Sequence, residues 1–253
     1  MDKNLEVYNS KQVVDWYTQL KEIIPVEKAI FEKFKTFIKQ ADFLDIGIGG
    51  GRTTAYLYKL CKTYTGIDYS ESFVKTAKQN HPSATCLTMD ARNLSAFTDK
   101  RFDFVNFSFN GIDYTNVEGR KKIFSEIARV LKPNGIFFFS THNKSHSTFN
   151  LHPWLNKNNS LYANLKTLLK ISPFLFKKIL RKKDEVFNDQ FAIINDSAHN
   201  YSLMTFYTTP EFLRTQLTEI NFGEINFYTK SGDIKEEGQL DDWIFVTAKK
   251  ISA

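Results

Sequence analysis

Phe43-Leu44-Asp45-Ile46-Gly47-Ile48-Gly49-Gly50-Gly51 decides the fold of this 253-residue chain: a short apolar run breaks into four glycines and then gives way to a segment of helical character. Residues without a Cβ let a ligand approach the backbone while the chain turns through unusual dihedrals, and the helix start that follows offers free N–H groups to a carboxylate or phosphate. Spacing narrows the choice of ligand. The dinucleotide fingerprint Gly-x-Gly-x-x-Gly, counted from Gly47, is met at Gly49 but calls for glycine where Arg52 stands, which opposes a nicotinamide oxidoreductase.

Three more apolar runs follow, each ending in a polar residue. Tyr64-Thr65-Gly66-Ile67 ends in Asp68, 21 residues past Gly47 (68 − 47); Ala84 to Met89 ends in Asp90-Ala91; Phe102 to Phe109 ends in Asn110-Gly111. A carboxylate at the tip of a second strand accepts hydrogen bonds from ribose hydroxyls, and Tyr69 beside it offers a flat apolar face to a base. Taken singly, a glycine turn is structural and an aspartate caps a helix. Their order and spacing carry the argument.

The pattern Asp45-x-Gly47-x-Gly49-Gly50-Gly51, with Asp68 and Asp90 in sequence behind it, resembles the motifs of the class I S-adenosylmethionine-dependent methyltransferases. The turn Leu131-Lys132-Pro133-Asn134-Gly135 is similar to the one before that family's fifth strand. The resemblance implies an α/β, Rossmann-like sheet of seven mostly parallel strands, helices on both faces, and a last strand inserted antiparallel. It implies S-adenosylmethionine as cofactor and S-adenosylhomocysteine as product. Cofactor contacts are then expected from Asp45, Gly47, Ile48, Gly49, Gly50, Arg52, Asp68, Tyr69, Asp90, Ala91 and Phe107, with Tyr17 closing over the methionine end. Tyr8 and Trp16 are further aromatic candidates there, and ordinary packing is the better expectation for Trp16.

Strand and helix alternate from residue 41 to about 142, as in a parallel sheet with crossover helices. Ile123, Phe124, Ile127, Val130 and Leu131 repeat at helical spacing over 118–131, and Thr209-Pro210 opens a late helix with Phe212, Leu213, Leu217 and Ile220 as its stripe. Strands are expected at about 224–229 and 242–248. The organisation is therefore one domain over 1–253: a helical cap (1–40), the cofactor core (41–142), an insertion covering the substrate (143–202) and a segment completing the sheet (203–253).

Bulk properties fit a soluble enzyme: 42% hydrophobic and 25% charged residues, with no apolar run long enough to span a bilayer. A cytoplasmic protein is expected, with Cys61 in a helix and Cys86 in a strand, both reduced. The net charge of +6 is local, because residues 166–183 carry seven Lys and Arg and no acid. Interleaved leucines and phenylalanines read this stretch as an amphipathic helix with a solvated cationic face; RNA, phosphate-bearing substrates or a membrane surface are the other partners such charge attracts.

Methyl transfer from a sulfonium is an in-line displacement in which a base is needed only when the acceptor must lose a proton. His142, directly after the fifth strand, and His199, in the polar run 195–201, are the candidate bases; Asn110, Asn143, Asn200 and Tyr201 are the candidate substrate contacts. His142, His146 and His152 lack a fourth ligand, so no metal is expected. Asn106-Phe107-Ser108-Phe109 is not the Asn/Asp-Pro-Pro-Tyr/Phe motif of enzymes that methylate base amines, and neither cysteine is placed to attack a pyrimidine. The segment 190–211 is similar to that of bacterial small-molecule methyltransferases, some of sugar or secondary-metabolite pathways. Methylation of oxygen or nitrogen on a small metabolite is the expected function, with a nucleoside or RNA acceptor second and a non-catalytic nucleotide-binding module as the alternative from another class. Oligomeric state is not legible.

Overall fold

A computed structural model of the chain describes residues 3–150, 159–197 and 200–251. Four short helices lead in, α1 (Lys3–Tyr8), α2 (Lys11–Gln19), α3 (Pro25–Lys33) and α4 (Lys35–Gln40). The core follows as β1 (Asp42–Ile46), α5 (Arg52–Leu57), β2 (Thr63–Asp68), α6 (Glu71–Asn80), β3 (Thr85–Thr88), β4 (Phe102–Phe107), α7 (Val117–Val130) and β5 (Leu131–Asn143). Beyond it come α8 (Leu161–Ile171), α9 (Leu175–Arg181), β6 (Val186–Phe187), β7 (Phe191–Ile194), β8 (Thr205–Thr208), α10 (Pro210–Glu219), β9 (Phe222–Tyr228) and β10 (Trp243–Lys250).

The sheet runs β3-β2-β1-β4-β5 with every neighbour parallel, and β10 then lies antiparallel between β5 and β9. These are the seven strands the motifs imply, with the last one inverted. Burial on both faces explains why the central strands read as continuous apolar runs. Ile136 to Phe139 shows the alternation directly: Phe137 and Phe139 stack at 4.4 Å on one face against Phe124 of α7, while Phe138 meets Phe31 of α3 at 5.8 Å on the other. Each such ring, fully buried, contributes about 1.5–3 kcal/mol.

Helix limits follow from side-chain caps. Asn116 accepts from the Gly119 N–H at the start of α7, and Thr209 accepts from the Phe212 N–H with Pro210 in the first turn of α10. On α10 only Leu213 and Leu217 of the expected stripe are fully buried among its side chains, joined by Pro210; Phe212 and Ile220 lie at its margins. Cys61 lies just past α5 rather than within a helix, its thiol donating to the Leu57 carbonyl at 3.2 Å, and Cys86 is buried in β3; both are free.

The sheet is larger than expected. The stretch read as a helical cover does supply α8 and α9, but it also supplies β6 and β7, which with β8 form an antiparallel ribbon. That ribbon joins the main sheet where β8 pairs in parallel with the last two residues of β5, His142 with Tyr207 and Asn143 with Thr208. Among the described residues, ten strands result, in one sheet.

Candidate active site

The glycine turn is clipped to β2 by its own backbone. Gly47 and Ile48 N–H donate to the Ile67 carbonyl at 2.8 and 3.2 Å, and Gly49 N–H donates to Asp68 Oδ2 at 2.9 Å. Gly47, Gly49 and Gly51 have φ of 69°, 52° and 95°, the left-handed region that glycine enters freely. A Cβ on Gly47 would sit 2.9 Å from the Phe107 ring, whereas around Gly49 nothing lies within 4 Å. The second position is an open cradle.

That cradle opens into a cavity of about 1030 Å³, counted out to its mouth. Gly47, Ile48, Gly49, Gly50, Arg52, Asp68, Tyr69, Asp90, Ala91, Phe107 and Tyr17 all line it. Asp45 does not. It lies behind the turn, where Oδ2 accepts from Thr53 Oγ1 (2.7 Å) and Tyr64 Oη (2.8 Å) and Oδ1 accepts from Asn106 Nδ2 (2.6 Å). Burial pushes its carboxyl up to about 6 against those three bonds, so Asp45 braces the turn from the rear.

Asp68 is buried at the end of β2 and is likewise raised to about 6 by burial, opposed by the N–H groups of Ser70 and Gly49. Asp90 goes the other way. Half-burial would raise it, but the Arg92 guanidinium and backbone N–H outweigh that and hold the carboxyl below its ordinary range. Arg52 is also engaged: both terminal nitrogens donate to the buried Glu27 carboxylate, and its guanidinium lies 4.8 Å from the Phe109 ring centre. It therefore fastens α3 to the turn.

The N-terminal helices close the cavity. Thr18 of α2 comes so near that a Cβ on Gly50 would lie 2.8 Å from its Cα, which places Tyr17 on the wall. Tyr8 packs among Tyr17, Tyr69 and Tyr114 with ring centres 6.1, 5.9 and 5.5 Å away. Burial lifts the Tyr17 phenol to about 12, so it stays a neutral donor. Trp16 departs from the packing expected of it, being 50% exposed with its ring edge-on to Tyr17.

A second group of residues stands at the end of β4 and β5. Phe109 and Asn110 both have positive φ, 61° and 59°, an uncommon pair for residues with side chains, and Asn110 N–H is tied to Ser140 Oγ at 2.9 Å. The bend aims the Phe109 ring at the cavity and the Asn110 amide at His142, with Asn110 Nδ2 3.3 Å from His142 Nε2. The other imidazole nitrogen, Nδ1, lies 2.7 Å from Asp113 Oδ2. Asp113 is fully buried and accepts as well from Arg120 Nη1 (2.7 Å), Thr141 Oγ1 (2.5 Å) and the His142 N–H (2.7 Å). A carboxylate with that many donors only accepts, so the His142 proton facing it sits on Nδ1, and the ring is turned so that Nε2 meets the Asn110 amide. Tyr207 and Trp243 flank the imidazole at 4.9 and 5.7 Å.

The remaining candidates separate from this group. Asn143 is buried with its amide bonded to the Asp241 carbonyl and the Ser145 N–H, so its side chain is structural. Asn200 and Tyr201 lie in the turn before β8, where Lys178 covers the Tyr201 ring and burial raises its phenol. His199 and His152 lie outside the described residues, and among the described residues no metal-binding cluster occurs. Sequence reasoning missed Asp113 as the partner of His142, Arg120 as the partner of Asp113, and Phe73, Met89 and Tyr114 on the cavity wall.

A strand-to-glycine turn, a buried carboxylate on the next strand and an open cradle between them fit an adenosyl ligand bearing a carboxylate. Residues 44–139 match the family model of the methyltransferase domain. Residues 44–139 are a methyltransferase domain of the class I, S-adenosylmethionine-dependent kind. It is 30% identical to the malonyl-acyl-carrier-protein O-methyltransferase of Buchnera aphidicola over 167 residues, covering 60% of this chain and 66% of that one. A ubiquinone biosynthesis O-methyltransferase of Coxiella burnetii is 30% identical over 131 residues, 50% of this chain and 54% of its own. The chain spans 41% to 66% of the length of the curated relatives it matches. In fold it is similar to the Burkholderia thailandensis 1,6-didemethyltoxoflavin-N1-methyltransferase, solved with 1,6-didemethyltoxoflavin and S-adenosylhomocysteine, at a TM-score of 0.59, 14% identity and 99% and 87% coverage.

Proposed function

We propose that this chain transfers a methyl group from S-adenosylmethionine to an oxygen or nitrogen of a small metabolite, with His142 as the proton acceptor. The observation that carries the reading is the Asp113–His142 pair, which holds the imidazole with Nε2 toward Asn110, in the bend whose neighbours Phe109 and Gly111 line the cavity. When bound, S-adenosylmethionine supplies an electrophilic methyl group on a positively charged sulfur. Asp68 receives ribose hydroxyls, Gly49 yields space to the ligand, and Tyr17 with Phe109 excludes water from the transfer path. His142 Nε2 takes the proton of an acceptor hydroxyl as its oxygen bonds to the methyl carbon, while the carbon–sulfur pair stays with sulfur. Asp113 steadies the imidazolium so formed. For an amine that is already neutral, the same histidine orients the nitrogen and removes its proton afterwards.

The O-methyltransferase names of the two relatives support oxygen as an acceptor atom. The test is release of S-adenosylhomocysteine across a panel of hydroxyl and amine metabolites, repeated with His142→Ala. Turnover on hydroxyl acceptors is expected to fall roughly 100-fold, with affinity for S-adenosylhomocysteine held within about twofold. Equal turnover by both proteins removes His142 from the chemistry.

A further inference from the structure

Within the cationic stretch 166–183, α9 adopts the reverse of the arrangement its sequence predicts. In α9 the charges turn inward: Lys177 Nζ donates to Ser202 Oγ at 2.9 Å, Arg181 Nη1 donates to the Ser202 carbonyl at 2.6 Å, and the Lys178 ammonium lies 5.6 Å from the Tyr201 ring centre. The outer side of the same helix carries Phe176, Ile179 and Leu180, which are 64%, 73% and 57% exposed. Their i, i+3, i+4 spacing makes one stripe, and it faces water. In α8, Leu161, Leu165 and Leu169 form an i, i+4, i+8 row that is 86%, 52% and 66% exposed, and Lys166 and Lys170 stand exposed in the adjoining row.

We propose that α8 and α9 form a face that docks on an anionic lipid surface, a role separate from the methyl-transfer site. Six large apolar side chains exposed on two consecutive helices are stabilised when they enter the boundary between headgroups and acyl chains. Charge complementarity selects the occupant. Lys166, Lys170, Lys182 and Lys183 remain exposed around the apolar rows, suited to lipid phosphates, and no acid stands between residues 159 and 183, with Asp184, Glu185 and Asp189 following. A nucleic acid would satisfy those lysines and leave the leucines in water. A second copy of this face would bring a like set of positive charges against the first. No helix among the described residues is long and apolar enough to cross a bilayer, so the contact is peripheral.

The experiment is sedimentation of the full chain with phosphatidylcholine vesicles, with and without phosphatidylglycerol, at low and high salt. Binding to the phosphatidylglycerol vesicles is expected, weakened by salt and by omission of the anionic lipid. Leu165→Ser with Ile179→Ser lowers the partition coefficient roughly tenfold per side chain, and Lys166→Glu with Lys170→Glu lowers it roughly fivefold per lysine. All four positions are solvent-exposed, and an unchanged melting temperature verifies that the variants fold. The proposal is overturned by failure to bind either vesicle, or by binding that the serine variants leave intact. It is equally overturned by salt-sensitive RNA binding in place of vesicle binding, or by a dimer that the serine variants dissociate while vesicles go unbound. None of these results bears on turnover with a soluble acceptor.

Discussion

In its proposed role as the ribose acceptor, Asp68 couples cofactor affinity to pH. Burial lifts its carboxyl to about 6, and only the ionised form accepts from both ribose hydroxyls. Affinity for S-adenosylhomocysteine is therefore complete well above pH 6 and declines as pH falls through that value, which calorimetry between about pH 7.5 and about pH 5 measures. Asp68→Asn is expected to weaken binding roughly tenfold or more and to flatten the profile; a flat profile in the unsubstituted protein would count against the ribose role. Arg120 is the other residue on which much depends. It is fully buried, donates to Asp113 and lies 4.6 Å from the Phe206 ring centre, so Arg120→Met leaves a buried carboxylate short of its charged partner. Denaturant unfolding should show a loss of about 3–5 kcal/mol. Asp68 was legible because a carboxylate ending an apolar run announces a strand tip. Arg120 was not, since Glu118, Lys121 and Lys122 surround it with exposed charge and only the approach of Thr141 and Asp113 from other elements takes it out of water.

The glycine turn separates packing from ligand space within one element. Gly47→Ala places a methyl against Phe107 at a left-handed φ, combining backbone strain with overpacking, and is expected to destabilise the fold by about 2–4 kcal/mol. Gly49→Ala meets no atom within 4 Å, so its stability cost is near 1 kcal/mol, while its methyl protrudes into the cradle. Thermal melts with and without S-adenosylhomocysteine tell the two apart: the first variant melts low in both conditions, and the second loses most of the ligand-induced rise. The order of the strands from β1 to β5, β9 and β10 could be read because each is an apolar run bounded by a turn residue or helix cap. The ribbon of β6, β7 and β8 is harder to read, although Phe191-Ala192-Ile193-Ile194 lies between Asn188-Asp189 and Asn195-Asp196 and carries the same signature in miniature. Four residues are too few for a period to separate strand from helix, and the basic helices before them favour the helical alternative.

At the scale of the whole molecule, one sheet serves two purposes. Its parallel centre, with both faces covered, holds the turn and Asp68, and its added ribbon reaches the end of β5 through only two residue pairs. Sparse pairing gives a small opening free energy, so amide exchange at Phe206 to Thr208 is expected to outpace that in β1 and β4 under native conditions. Exchange as slow in the ribbon as in the centre would show the two to be one cooperative unit. The pairing of His142 with Tyr207 ties this to the chemistry. Were the ribbon to open, the imidazole would lose that aromatic wall to water, and the base of the proposed reaction would be left wet.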